Sequence, residues 1–529
     1  MRTSQRFQII SVLLLFMVGS ITWVSAAGQG GTGAAADEDI HIEGWMAWGP
    51  STVPDDPQFG DHVMWKVAEE KFGIYIDWTT VASEGKSALG LLIASGDLPD
   101  LIGRSYGATV AQDYGRQGAF MQLENLIAEN GPNLTGIMNE FPAYRGQTVG
   151  PDGHIYFFPR IMEPLVRNFP GYQIRQDWLD KFGLDMPDNV DELGDALRTF
   201  LNEDANGNGE RDEVPWTYDP RSLIWPFGVG SRGYNSHTDL FVEDGVIKNG
   251  TTDPRFKEGI TMVAQWYAEG LIDPEYLGQK GSQRDALVLA NRVGSILGSY
   301  AGFLTKYNKL FTADGHDDWK FVALPAPKGP TSIRNMMGKH NSIDKACGAS
   351  IPIGAEHPEA ITEMLDYFYS DEGRMHLYFG EEGKHHTVQD GVPVYTDLIT
   401  KHPDLSIYQV LNTYVGYISA WPSYIPGIHQ LSLYDQEGKD ALYLSAKHET
   451  DRKIPNLQFT AGEIREVQEI ARDLNTFTDE WVHGFIRGLK SIDNDWDEFQ
   501  AGLEKLKNDR YVELHNAAYT RYKAVLAGG

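Results

Sequence analysis

Along residues 40–160 the apolar positions switch between two periods. Ile40 and Ile42 alternate with polar neighbours, and Ile74, Ile76 and Trp78 do so again, which predicts two strands because successive strand side chains point to opposite faces. Helical spacing fills the chain between them to about Lys71, and residues 88–95 read as a second helix stopped by Gly96-Asp97-Leu98-Pro99. Leu101-Ile102 follows as a short buried strand. Helix and strand in alternation predict a parallel, covered sheet. Tyr156-Phe157-Phe158-Pro159-Arg160 is an apolar strand whose proline lacks a ladder donor and is expected at an edge or a strand end. A further strand then feeds a short helix, Gln176-Asp177-Trp178-Leu179-Asp180-Lys181-Phe182. Residues 156–182 thus join two α/β bodies, with Tyr172, Arg175 and Trp178 as large planar groups at a junction of the kind where ligand pockets gather. An ordinary α/β chain with a core tryptophan and surface arginines fits the same pattern.

Beyond the junction, Asn189 and Glu192 make a capping-box pattern, and Leu193, Leu197, Phe200 and Leu201 form the apolar face of the helix it opens. Asp253-Pro254 starts another helix, with Ile260, Val263, Trp266 and Tyr267 inward and Gly270 as its stop. Residues 294–300, 321–325 and 346–353 read as strands, and Pro358 opens a helix carrying Ile361, Met364, Leu365 and Phe368. Helical spacing returns at Ile464, Val467, Ile470, Leu474, Phe477, Trp481 and Phe485, and again at Trp496, Phe499, Leu503 and Leu506. The end of the chain is therefore expected to be helical. No internal repeat is visible.

Composition narrows the function classes. A chain of 529 residues is too long for one ordinary domain. A net charge of -29 argues against nucleic acid or an anionic membrane as partner. The single cysteine, Cys347, excludes an intramolecular disulfide framework and is expected to act as a small buried hydrophobe. Arg2 and Arg6 followed by the short apolar run 9–18 and Val24-Ser25-Ala26 read as a signal peptide, residues 1–26, cleaved after Ala26. Residues 27–38 form a Gly/Ala-rich linker. Its Gly28-Gln29-Gly30-Gly31-Thr32-Gly33 matches GxGxxG but lacks the flanking strand and helix, so no dinucleotide site is expected. No cysteine follows the apolar run, which speaks against a lipid anchor and for a soluble exported chain.

Residues 204–213, Asp204-Ala205-Asn206-Gly207-Asn208-Gly209-Glu210-Arg211-Asp212-Glu213, carry the most specific site-like pattern. Side-chain oxygens at the first, third, fifth and ninth places, with glycine at the sixth, open an EF-hand calcium loop, where alternate residues turn oxygens inward. Glu210 would supply its backbone carbonyl. The twelfth place is Pro215 instead of a bidentate glutamate, so Glu213 at the tenth is the candidate closing ligand. An Asn/Gly turn with solvated carboxylates is the alternative. A structural calcium ion (Ca2+) is expected, since no catalytic group is visible beside the loop.

Several segments together resemble the extracellular solute-binding proteins of the family 1 type, the periplasmic components of ABC sugar importers. They are Leu91-Leu92-Ile93-Ala94-Ser95-Gly96-Asp97-Leu98-Pro99-Asp100-Leu101, Asp152-Gly153-His154-Ile155-Tyr156, Arg175-Gln176-Asp177-Trp178-Leu179, Glu382-Gly383-Lys384-His385, Phe485-Ile486-Arg487-Gly488 and Ala518-Tyr519-Thr520-Arg521. They span nearly the whole mature chain and are most similar to the oligosaccharide-binding branch that includes the LplA group and the alginate binders. The resemblance implies a two-lobed α/β periplasmic-binding-protein fold of type II with a helical C-terminal extension. Its lobes would be residues 39–165 with 346–385, and 166–345 with 386–529, crossing at about 160–170, 340–345 and 385. It implies calcium on Asp204, Asn206, Asn208, Glu210, Asp212 and Glu213. The family's lipobox cysteine is absent here, which favours a free periplasmic monomer serving permease subunits.

Sugar recognition needs aromatic faces for the C–H side of a ring and planar polar groups for hydroxyls. Candidates are Trp45 and Trp48 in a Gly/Pro turn at a strand end, Trp225 and Trp421 in loops, Tyr300, and Arg160 and Arg175, which could fork an acidic sugar. Each aromatic could equally pack in a core, and each arginine could equally serve an ion pair. The rival reading is a secreted carbohydrate-active enzyme such as a glycoside hydrolase, although no HExxH, GxSxG or cysteine nucleophile pattern occurs. A receptor for peptides or other solutes on the same fold is a third.

Overall fold

The structure, a computed structural model, describes residues 39–47, 62–81, 85–103, 107–163, 170–232, 238–316, 318–332, 334, 336–337, 342–389, 391–402, 407–415 and 421–528. The expected signal peptide, the linker and Trp48 lie outside the described residues, as does the side chain of Cys347.

Ten strands build two sheets. In chain order they are β1 (Ile40–Ala47), β2 (Ile74–Val81), β3 (Leu101–Gly103), β4 (Phe158–Met162), β5 (Pro170–Arg175), β6 (Val214–Thr217), β7 (Val293–Ser299), β8 (Phe321–Ala323), β9 (Ser342–Ser350) and β10 (Ser423–Ile425). The first sheet has the order β10-β4-β9-β3-β1-β2 and the second β8-β5-β7-β6. Strand β1 pairs in parallel with β2 and with β3, the helices Val63–Phe72 and Gly85–Ser95 making the crossovers. Gly73 ends the first of these helices at φ 62°, a left-handed cap that glycine adopts without strain. A parallel sheet must be covered, and Met64, Trp65 and Ala68 pack with Ile42, Met46, Ile74 and Ile102 in the core of the first lobe.

Two expectations from the sequence change here. Strand β4 is interior, with β9 antiparallel on one side and β10 parallel on the other. Pro159 fits because the β10 ladder starts only at Arg160 and the β9 register shifts between Ile343 and Gly348. The first lobe also does not end at residue 385. Tyr395, Ile399, Leu411 and Trp421 join its core, and β10 forms its edge, so the third crossing follows Ile425. That assignment rests on a pairing with β4 far upstream, which no local pattern announces.

The second sheet is covered on both faces: Leu297 and Ile296, neighbours on β7, enter different cores. One core is built by the helices Val190–Asn202 and Pro254–Ala268 and by the C-terminal helices Ala461–Ile486, Ile492–Lys505 and Asn508–Ala527, through Leu193, Ile260, Trp481, Phe485, Phe499 and Leu514. Of the capping box expected at Asn189 one half forms: Asn189 Oδ1 accepts from the Glu192 amide, while Glu192 accepts from the Asp188 amide instead of Asn189's; Thr460 and Glu463 make the full box on the first C-terminal helix. The last helix also touches the first lobe. Tyr522 packs on Gly146, where a Cβ would lie 2.8 Å from the ring, and ahead of the first C-terminal helix Gln458 Nε2 donates to the Gln147 carbonyl at 2.6 Å.

Register fixes how the sheets relate to the crossings. The chain leaves the first sheet at the end of β4, where Met162 lies opposite Ser342 at the start of β9. Strand β3 runs against β9, with Gly103 opposite Ala349, so the C-terminal ends of β1, β2 and β3 point to that same end. In the second sheet Pro170 enters opposite Ser299, and β6 runs parallel to β7 with Thr217 beside Ile296. Both sheets thus turn the carboxyl ends of their parallel strands toward the crossings.

Candidate ligand site and metal loop

Open α/β sheets bind ligands outside the carboxyl ends of their strands. At that end of the first sheet lies Gly103. A Cβ on Gly103 would stand 2.9 Å from the Trp421 ring and 3.5 Å from Met46 Cε, so glycine lets the indole lie over the strand end. Trp421 meets Trp65 edge-on at 5.2 Å and Trp78 at 6.1 Å, and Trp65 and Trp78 lie 4.8 Å apart. Trp421 is fully buried, and its Nε1–H finds no acceptor among the described residues. The sequence reading missed Trp65 and Trp78. Their strand and helix spacing marks them only as core, and their meeting with Trp421 is tertiary.

The other candidates are spread. Trp45 is buried on β1 in the first core. Trp225 is buried as well, against the exposure expected of a loop residue: Pro220–Phe227 closes as a 3-10 helix capped by Asp219, and the indole donates to the Ser231 carbonyl at 3.0 Å. Tyr300 follows β7 in a π-helical turn, buried, with its hydroxyl where a Cβ on Gly171 would be. Arg160 donates to Asp344 Oδ2 at 3.0 Å.

Arg175 is held on every side in the second lobe. Its Nε and one terminal nitrogen fork Asp177 at 2.8 and 2.6 Å, and the other terminal nitrogen donates to Asn291 Oδ1 at 2.6 Å. Its guanidinium carbon lies 4.6 Å from the ring centres of both Trp178 and Trp319. Burial pulls its pKa below the usual guanidinium value, against the pull of Asp177. Trp421, over the end of β3 at Gly103, and Tyr300, directly after β7, are thus buried within their lobes like Trp45, Trp225 and both arginines.

Residues 204–213 follow the helix Val190–Asn202 and fold inward on themselves. Asn206 Oδ1 accepts from the Asn208 amide at 3.0 Å, Asn208 Oδ1 from the Glu210 amide at 2.7 Å, and Asp204 Oδ2 from the Gly209 amide at 2.9 Å. Gly207 at φ 76° and Gly209 at φ 85° take the left-handed turns this needs. Glu213 is buried, with Oε1 accepting from the Asn206 amide at 3.1 Å, and Arg292 Nε holds Asp212 through Oδ2 at 3.0 Å. Asp204 Oδ1 and Glu213 Oε2 are buried and receive no hydrogen bond among the described residues. Orphaned carboxylate oxygens in a loop of turned-in amide oxygens fit a hard, oxygen-seeking cation. Among the described residues, no three His, Cys, Asp or Glu side chains converge into a metal cluster.

The sequence profile of the bacterial extracellular solute-binding proteins matches residues 62–375. The fructooligosaccharide ABC transporter substrate-binding protein FusA of Streptococcus pneumoniae serotype 4 is 25% identical, over 98% of this chain and 99% of its own. FusA solved with kestose superposes with a TM-score of 0.68 at 23% identity, covering 92% of this chain and 99% of FusA, and a structure of its EF-hand mutant is also similar. The alginate-binding protein AlgQ2, solved without calcium ion, has a TM-score of 0.68 at 22% identity, covering 92% of this chain and 98% of AlgQ2. A human-milk-oligosaccharide (HMO) binding, ABC-transporter-associated solute-binding protein of Bifidobacterium longum infantis has a TM-score of 0.75 at 20% identity, over 92% and 99% of the two chains. No helix of the described residues is long and apolar enough to cross a membrane.

Proposed function

This chain belongs to the bacterial extracellular solute-binding proteins, and we propose that it captures an oligosaccharide between its lobes and hands it to the permease subunits of an ABC importer, without chemistry of its own. The observation that carries this reading is the shared orientation of the two sheets. Both turn the carboxyl ends of their parallel strands to the end where the chain crosses, so one ligand can be gripped by both lobes. A ligand held that way favours the state with the lobes together, and the transporter reads that state. FusA and the Bifidobacterium protein, whose names describe fructooligosaccharide and milk-oligosaccharide binding, support the ligand class.

Of the candidates, Trp421 keeps a buried N–H that finds no acceptor among the described residues, which suits a sugar hydroxyl. Trp45, Arg160, Arg175, Trp225 and Tyr300 would act behind the site, packed in their own lobes with the two arginines in ion pairs, and Trp48 lies outside the described residues. Residues 204–213 are the proposed calcium loop, with Asp204, Asn206, Asn208, Asp212 and Glu213 as side-chain ligands and the Glu210 carbonyl. Bound calcium would supply a fixed double charge that ties the loop's ends together.

Calorimetric titration with kestose, maltotriose, mannotriose, xylotriose and trigalacturonate tests the reading. Binding of at least one sugar, with no product released on prolonged incubation, is expected. Cleavage of a sugar by the purified protein would overturn it.

A further inference from the structure

Tyr218 is the one non-glycine residue of the described chain whose backbone leaves the usual left-handed basin. Its φ is 102°, whereas the other five such residues lie between 51° and 61°. An aromatic residue in that conformation is strained, and its surroundings enforce the strain. Thr217 before it is fixed in the β6 ladder beside Ile296, and Asp219 after it caps the 3-10 helix Pro220–Phe227 through the Arg221 amide. Tyr218 follows the carboxyl end of β6 directly, at the end of the second sheet that faces the crossings. Its ring is half-buried and touches both cores of that lobe at their seam. The Arg284 guanidinium lies 5.3 Å from the ring centre. Arg284 makes no ion pair among the described residues, and its Nε is buried without an acceptor.

We propose that Tyr218 and Arg284 are the second lobe's sugar-contacting pair. The tyrosine ring takes the C–H face of one sugar unit, and the arginine fork takes two adjacent hydroxyls of that unit, satisfying the idle donor. The positive φ and the contacts with both cores together fix the ring at the carboxyl end of β6. The unit is neutral. Asp273, at the same strand end, accepts from Thr217 Oγ1 at 3.1 Å, and Asp285 adjoins Arg284 in sequence. These carboxylates, on a chain of net charge -29, oppose an acidic sugar.

This assignment rests on the oligosaccharide reading, and the test separates the two. Tyr218→Gly and Arg284→Met are titrated beside the unaltered protein with kestose, maltotriose, mannotriose, xylotriose and trigalacturonate, and all three are melted without sugar. Each substitution is expected to weaken the neutral-sugar affinity by about tenfold or more. Tyr218→Gly relieves the backbone strain but removes a ring that packs on both cores, so it is expected to melt lower than the unaltered protein, and the sugar affinity is the deciding readout. Arg284→Met, which keeps the length of a half-buried side chain, still gives an affinity reading if the glycine variant folds poorly. Affinity unchanged in both variants overturns this assignment alone. A lower melting point with full affinity marks Tyr218 as a packing residue and also overturns it, and tightest binding of trigalacturonate overturns the neutral unit. No sugar bound by the unaltered protein overturns the parent reading and this one with it.

Discussion

Arg175 and the loop 204–213 sit in the same lobe, and both carry charges that read from the sequence as binding groups. Around Arg175 each nitrogen with a hydrogen to give has a named acceptor, and two indole faces close the sandwich. In the loop, two buried carboxylate oxygens receive no hydrogen bond among the described residues. The first arrangement is complete without a ligand and the second is not. Whether a charged group binds something or staples the fold is decided by the partners left over after folding, and that count is tertiary information.

The same distinction sorts what could be read in the chain. The loop's turns were legible because their side-chain-to-amide contacts and its two left-handed glycines lie within ten residues. The alternation of helix and strand was legible too, as were the caps at Asn189 and Asp253, each set by contacts two or three residues away. The place of β10 in the first sheet was not, because Ser423 to Ile425 finds its partner on β4. Nor was the burial of Trp225 and Trp421. A tryptophan beside glycine or proline looks the same whether its indole ends against Ser231 or against Trp65. Tyr218 carried no mark at all, since Tyr218-Asp219-Pro220 reads as an ordinary turn.

The comparison breaks first at Arg175. Arg175→Ala leaves Asp177 in a largely buried place with its charge uncompensated and opens a gap between two indoles. The expected loss is about 3–5 kcal/mol of stability, read as a lower urea midpoint. The affinity of the folded fraction for sugar at low temperature should not change. A variant of normal stability with abolished binding would make Arg175 a ligand residue after all.

Acid probes buried groups that are satisfied in one protonation state only. His429 is buried, and its Nδ1 lies 2.7 Å from the Tyr395 hydroxyl, which itself donates to the Tyr378 carbonyl; the imidazole is therefore the donor to Tyr395. Burial, with Arg160 adding to it, lowers its pKa to about 3. His483, hydrogen-bonded to Tyr276, is lowered to about 4 by burial and then by Arg221. An unfolded histidine takes its proton near pH 6.5. Folded-state values below that mean full stability above pH 6.5 and progressive loss as the pH falls toward 4, on the order of 3 kcal/mol from His483 alone. His483→Gln should flatten the pH dependence of the urea midpoint in that window. An unaltered slope would show that the histidine is reached by water when protonated.

Chelation addresses the loop directly. If calcium seats on Asp204 and Glu213, free ion at a hundredfold excess over its Kd stabilises the fold by about 2.7 kcal/mol, and a chelator removes that. The melting temperature should fall on chelation in the unaltered protein and stay put in Asp204→Ala, while sugar still binds at low temperature. Equal melting curves with and without chelator in the unaltered protein would leave the two orphan oxygens as a strained turn.

Lys181 gives the smallest effect and the finest discrimination. Its ammonium donates to the carbonyls of Asp204 at 2.6 Å and Ala205 at 3.2 Å, at the loop's first two places. Without metal, that charge steadies the backbone beside the Asp204 carboxylate, and because the side chain is exposed the benefit is under about 1 kcal/mol. With metal, the same charge repels the incoming ion. Lys181→Met should therefore shift two measurements in opposite directions. The chelated protein should melt slightly lower, and calcium should bind up to about fivefold tighter in a competition titration against a fluorescent indicator. At Arg175 no such opposition is expected, because nothing enters there and a lost contact can only cost stability. A Lys181→Met variant in which both the melting point and the calcium affinity fall would place the lysine among the loop's supports and remove the difference drawn between the two regions.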